Sequence, residues 1–121
     1  MKNRPFRSRI GFALAGLRSA FRRENSFRTH CLFAGAALGA LLVLRPAPAW
    51  WALVALAIAL VMALELVNSA LEALIDLLHP GQHPEIGIIK DMLAGAVLVA
   101  SLAALLVALA LVVAHRGLLA A

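Results

Sequence analysis

Cysteine occurs once, at Cys31, so the chain forms no internal disulfide and no cysteine-based metal site. Charge is scarce too: 14% of the 121 residues are Asp, Glu, Lys or Arg, while 64% are hydrophobic and the mean hydropathy is +0.95. That balance excludes a disordered chain, and a soluble globule of this length would leave too much Leu, Val and Ala facing water. The bilayer is the solvent that fits. Phosphate-binding and catalytic signatures of soluble enzymes are absent as well, with no G-x-x-x-x-G-K-S/T loop, no H-R-D or D-F-G set, no H-E-x-x-H and no G-x-S-x-G. Soluble kinase architectures are thereby excluded.

The charge that is present is unevenly placed. Eight of the eleven basic residues (Lys2, Arg4, Arg7, Arg9, Arg18, Arg22, Arg23 and Arg28) precede residue 29. Such a bias keeps the N-terminus cytoplasmic, and an odd number of spans then puts the C-terminus outside. Without interleaved aromatics or a soluble recognition fold, these arginines do not describe a nucleic-acid surface. Phe6, Ile10, Ala13, Leu14, Leu17, Ala20 and Phe21 fall within about 120° on a helix, with Arg4, Arg7, Arg18 and Arg22 opposite. An amphipathic surface helix over 6–28 follows, lying at the headgroups.

Three uncharged runs come next. Cys31 to Leu44 has 14 residues, short of about 20 unless Thr29, His30 and the Ala47 to Ala49 stretch contribute, and the first span is expected over 29–45. Arg45-Pro46-Ala47-Pro48 breaks the helix, and Trp50 and Trp51 mark an interface. Residues 47–64 start a second span whose helical pattern runs to 78, beyond the hydrocarbon. A cytoplasmic loop is expected over 79–89 and a third span over 90–115. The whole, 1–121, is one all-α membrane domain: a three-helix transmembrane bundle preceded by a surface helix.

The informative segment is residues 65–76, ELVNSALEALID. With Glu65 at zero, Asn68, Ser69, Glu72 and Asp76 lie at about −60°, +40°, −20° and +20°, one polar stripe about 100° wide. Charge at membrane depth costs about 2.5 kcal/mol or more per residue, so such a stripe turns toward a bundle interior or a wet cavity and is a candidate functional site. Glu24, Glu65, Glu72, Asp76 and Asp91 gather on the cytoplasmic side around one lysine, Lys90. Carboxylates in excess either bind a hard divalent cation or hold protons. Two chemistries therefore remain open on residues alone: Mg²⁺-assisted phosphoryl transfer, and a small proton- or cation-conducting membrane protein.

The order of these segments resembles the prokaryotic diacylglycerol kinase family: an amphipathic helix, E24-N-S-F-R, E65-L-V-N-S-A-L-E-A-L-I-D76, a short loop with His83, and K90-D-M-L-A-G-A-V-L-V99. The resemblance covers nearly the whole chain. It implies an ATP-dependent lipid kinase that phosphorylates diacylglycerol to phosphatidic acid, working as a homotrimer with sites between subunits and with Mg²⁺ as cofactor. By position, Glu65 resembles the general base for the lipid hydroxyl, with Asn68 beside it, and Glu24 and Glu72 resemble the Mg²⁺ ligands. Phe12, Asp76, Gly81, Gln82, His83, Lys90 and Asp91 match nucleotide contacts, and Gly16, Leu17, Arg18, Phe27 and Arg28 match lipid contacts. An arginine common in the family aligns with Pro5, leaving Arg4 or Arg7 to serve. His30 in place of a carboxylate and Ala94 in place of a serine resemble the undecaprenol kinase branch, whereas Gly16 to Phe21 resembles the diacylglycerol branch. His30 and His115 otherwise read as ordinary interfacial histidines.

Overall fold

The computed structural model describes residues 2–120; Met1 and Ala121, which the single-domain reading includes, lie outside the described residues. Among the described residues five helices follow one another: α1 (Phe6–Arg23), α2 (Asn25–Leu44), α3 (Pro48–Leu78), α4 (Pro84–Ala114) and the single turn α5 (Arg116–Leu119). No strand occurs among the described residues, and α2, α3 and α4 are each long and apolar enough to cross a membrane. The chain is an all-α, multi-pass membrane protein.

Helix ends follow local chemistry. α1 stops at Glu24, whose extended backbone (φ −111°, ψ 113°) interrupts what the sequence suggests is one helix to residue 28, and Arg22 and Arg23 complement the dipole of its last turn. Helix α2 begins at once at Asn25, so the first span starts four residues earlier than expected. It ends where Arg45 takes the left-handed conformation (φ 46°, ψ 55°) ahead of Pro46. Pro48 opens α3 at a position where its missing N–H is not needed. Likewise His83 and Pro84 open α4, with the His83 Nδ1 accepting the Glu85 N–H at 3.1 Å and Glu85 in the first turn. The connecting loop is therefore 79–83, not 79–89, and Lys90 and Asp91 sit inside a helix rather than at its start. Both α3 and α4 have 31 residues, about 46 Å of helix against about 30 Å of hydrocarbon, so both protrude.

Helix α3 is the centre, packing on α2 and more extensively on α4, while α1 contacts both α2 and α3. The tightest core lies at the far end from α1, where Leu41, Val54 and Leu111 are buried against Trp50, Trp51 and Val107. There the His115 Nδ1–H donates to the Leu111 carbonyl (2.8 Å) and its ring meets Trp50 edge-on at 5.9 Å. Toward mid-membrane the helices part around an apolar cleft of about 500 Å³, because Ala34, Ala37, Ala40, Ala57, Ala104 and Ala108 offer only methyl groups to fill it. His30 stands on its lining.

Candidate functional site

The polar stripe of α3 descends from burial to solvent. Glu65 is 4% exposed and is the one buried charged residue among the described residues; Asn68, Ser69 and Glu72 are half-buried, and Asp76 is exposed. One face of a helix thus carries groups from a dry site to a wet one, as the roughly 100° stripe requires.

Glu65 faces α2. Its Oε2 lies 3.6 Å from the His30 Nε2, the one ion-pair partner it has among the described residues. One turn along, the Asn68 Oδ1 is buried with no hydrogen-bond partner among the described residues. A buried carbonyl oxygen left unpaired costs about 1–3 kcal/mol, and such a group at a candidate site points to a donor supplied by a ligand or another chain.

At the protruding end, Lys90 on α4 donates to the Asp76 Oδ1 at 2.6 Å, joining the two helices across the loop. Asp76, Lys90, Gly81, Gln82 and His83 line one cavity of about 650 Å³. Five of its walls, His79, Pro80, Pro84, Ile86 and Gly87, were not singled out as site residues from the sequence. The signal for them was the density of Pro and Gly between two long helices, which produces a hollow bend.

Glu24 occupies the α1–α2 hinge, half-buried. Arg28 fixes that hinge: its guanidinium donates to the carbonyls of Phe21 (2.8 Å) and Arg22 (3.0 Å) and to Asn25 Oδ1. These bonds occupy orphan carbonyls at the end of α1 and put positive charge at the negative pole of its dipole. The family likeness suggests a lipid contact for Arg28; within the chain it is a brace. Phe27, another suggested lipid contact, is buried at 3% exposure and belongs to the core. Phe12, Gly16, Leu17 and Arg18 are exposed along α1, and Asp91 is exposed on α4. No group of three or more His, Cys, Asp or Glu able to hold a metal ion comes together among the described residues, so Glu24 and Glu72 do not form a closed metal centre within one chain.

Comparison with known proteins joins these observations. The model of the family described as prokaryotic diacylglycerol kinase matches residues 11–112, which include Glu24, the whole stripe and the Lys90–Asp91 pair. A diacylglycerol kinase from Synechocystis sp. is 40% identical over 97 residues, covering 79% of this chain and 55% of that protein. One from Haemophilus influenzae is 35% identical over 89 residues, covering 74% and 75%. The chain thus spans about half the length of the first relative and three quarters of the second. With the match running from the middle of α1 to the last turns of α4, the chain belongs to the prokaryotic diacylglycerol kinase family.

Proposed function

We propose that this protein is an ATP- and Mg²⁺-dependent lipid kinase that transfers the γ-phosphoryl group to the hydroxyl of diacylglycerol, giving phosphatidic acid at the cytoplasmic face of the inner membrane. The observation that carries the reading is the graded stripe: a buried carboxylate, Glu65, at lipid depth on the same helix face as groups that reach a polar cavity at the membrane surface. A lipid hydroxyl and a water-soluble nucleotide meet only at such a boundary.

The residues divide the work along that gradient. Glu65, with Asn68 beside it, takes the proton of the lipid hydroxyl as the oxygen attacks. The Asn68 Oδ1, lacking a partner among the described residues, is available to a hydroxyl donor on the substrate. Lys90, positioned by Asp76, supplies a cation for the phosphates, and Gly81, Gln82 and His83 give the nucleotide a loop wall. Asp91 and Phe12 complete the nucleotide side, and Gly16, Leu17 and Arg18 present the surface helix to the lipid. Glu24 and Glu72 fit Mg²⁺: they are half-exposed hard oxygen donors, and this ion prefers one or two carboxylates with phosphate oxygens and water. Held by Glu24 and Glu72, Mg²⁺ would supply charge neutralisation for the nucleotide phosphates.

A homotrimer is part of this reading. Six apolar side chains are buried in the described chain, and the exposed stretch of α2 to α4 carries both large apolar residues for lipid contact and small ones that permit close helix packing. The N-terminus lies in the cytoplasm and the C-terminus outside, from the basic bias before residue 29. The test is to offer diacylglycerol and undecaprenol side by side with Mg²⁺ and ATP to the purified protein in mixed micelles. Phosphatidic acid is the expected product; undecaprenyl phosphate instead would move the protein to the other branch, and neither product would overturn the kinase reading.

A further inference from the structure

Glu65 has a difficulty that its own environment creates. A general base must lose the proton it gains before the next turnover, and a side chain 5% exposed at lipid depth has no direct route to water. Among the described residues one titratable neighbour is within ion-pair distance, His30 at 3.6 Å, and its side chain is 22% exposed. We propose that His30 is the proton exit for Glu65, returning each abstracted proton from the buried carboxyl to the membrane surface. The inference rests on the kinase reading of Glu65 given above.

The step balances. Abstraction leaves Glu65 as a neutral carboxylic acid; the lone pair of the His30 Nε2 takes that proton, restoring the carboxylate and giving imidazolium, which then releases the proton to interfacial water. Histidine is suited because its ring gains and loses a proton near neutral pH: uptake at Nε2 is followed by release from Nδ1, and a tautomer shift then returns the lone pair to Nε2 for the next turnover. The 3.6 Å separation is a small adjustment from a hydrogen bond, as is common before substrate closes a site. Other charged groups are committed or distant. On α3, Glu72 and Asp76 lie about 10 and 16 Å further along the helix from Glu65, and Asp76 holds Lys90 of α4. On α2, Arg28 is bonded to the α1 carbonyls, while Glu24 at the hinge lies about 9 Å along the helix from His30. From α1 the closest in sequence are Arg22 and Arg23, which have no carboxylate partner within 4.0 Å among the described residues; Asp91 of α4 is exposed.

The experiment measures kcat and KM for diacylglycerol and for MgATP in mixed micelles, using wild type, His30→Ala, His30→Gln and Glu65→Gln, with and without added imidazole. A proton exit predicts that both His30 variants lose about tenfold to hundredfold in kcat, with either KM moving less than about twofold. Added imidazole restores turnover to His30→Ala, which has room for it, in proportion to the neutral form of a series of substituted imidazoles. It does nothing for Glu65→Gln. Wild-type kcat in both His30 variants, a loss confined to KM, or a loss that no imidazole restores would overturn the proposal while leaving the kinase reading intact. No transfer by the wild type would overturn both.

Discussion

Replacing Arg28 with alanine removes three donations that hold the α1–α2 hinge: to the carbonyls of Phe21 at 2.8 Å and Arg22 at 3.0 Å, and to Asn25 Oδ1. Because the site is partly exposed, water replaces much of each bond, and the net loss for the set is about 1–2 kcal/mol. That corresponds to a roughly 5- to 30-fold more frequent opening of the last turn of α1. The amide that reports it is Glu24, whose N–H bonds to the Ala20 carbonyl at 2.9 Å. Hydrogen exchange in detergent micelles should therefore quicken by about that factor at residues 22–24 in Arg28→Ala, with amides in the middle of α2 unchanged. Arg28→Lys should fall between, since an ammonium lacks the planar fork that reaches two carbonyls and an amide together. As Glu24 is carried by this hinge, the Mg²⁺ concentration for half-maximal activity should rise in parallel. Unchanged exchange at residues 22–24 in Arg28→Ala would refute the bracing role.

Other expectations follow from single contacts. Asn68→Leu should remove a buried unpaired oxygen and so raise the resistance of the chain to unfolding by up to about 1–3 kcal/mol while abolishing turnover; equal loss of both would mean that Asn68 is structural. Asp76→Asn should loosen the α3–α4 end by removing the charged partner of Lys90, seen as a raised KM for ATP with little change in KM for lipid, and a shift confined to the lipid KM would argue against the cavity as the nucleotide side. Arg45→Gly should be neutral or stabilising by up to about 1 kcal/mol, since φ of 46° suits glycine, whereas Arg45→Val should destabilise; unfolding titrations in micelles give both signs.

Much of the architecture was legible because membrane depth imposes strong rules. Three apolar runs gave three spans, and the fixed 100° step of a helix gathered Glu65, Asn68, Ser69, Glu72 and Asp76 onto one face without tertiary information. What sequence reasoning misjudged were helix ends. The loop was expected to run to residue 89, with Lys90 and Asp91 opening the third span, but a helix start is decided by its cap and first turn, and His83-Pro84-Glu85 supplies both. The same weighting of pattern over backbone carried the surface helix through Glu24, where the chain in fact turns. The His30 contact was hidden for a different reason. It lies 35 positions from Glu65, and only the relative register of antiparallel α2 and α3 brings the two together. Arg28 likewise reads as one more basic residue until the hinge places carbonyls in front of it.

The central claim is that the α3 stripe serves phosphoryl transfer rather than ion passage. It is tested most directly in proteoliposomes containing diacylglycerol, with Mg²⁺ and ATP labelled on the γ-phosphate, comparing wild type with Glu65→Gln and following proton flux in the same vesicles without nucleotide. Labelled phosphatidic acid from the wild type alone, with no nucleotide-independent flux, is the predicted result. Label of equal yield from Glu65→Gln, or flux without ATP and no labelled lipid from either protein, would contradict it.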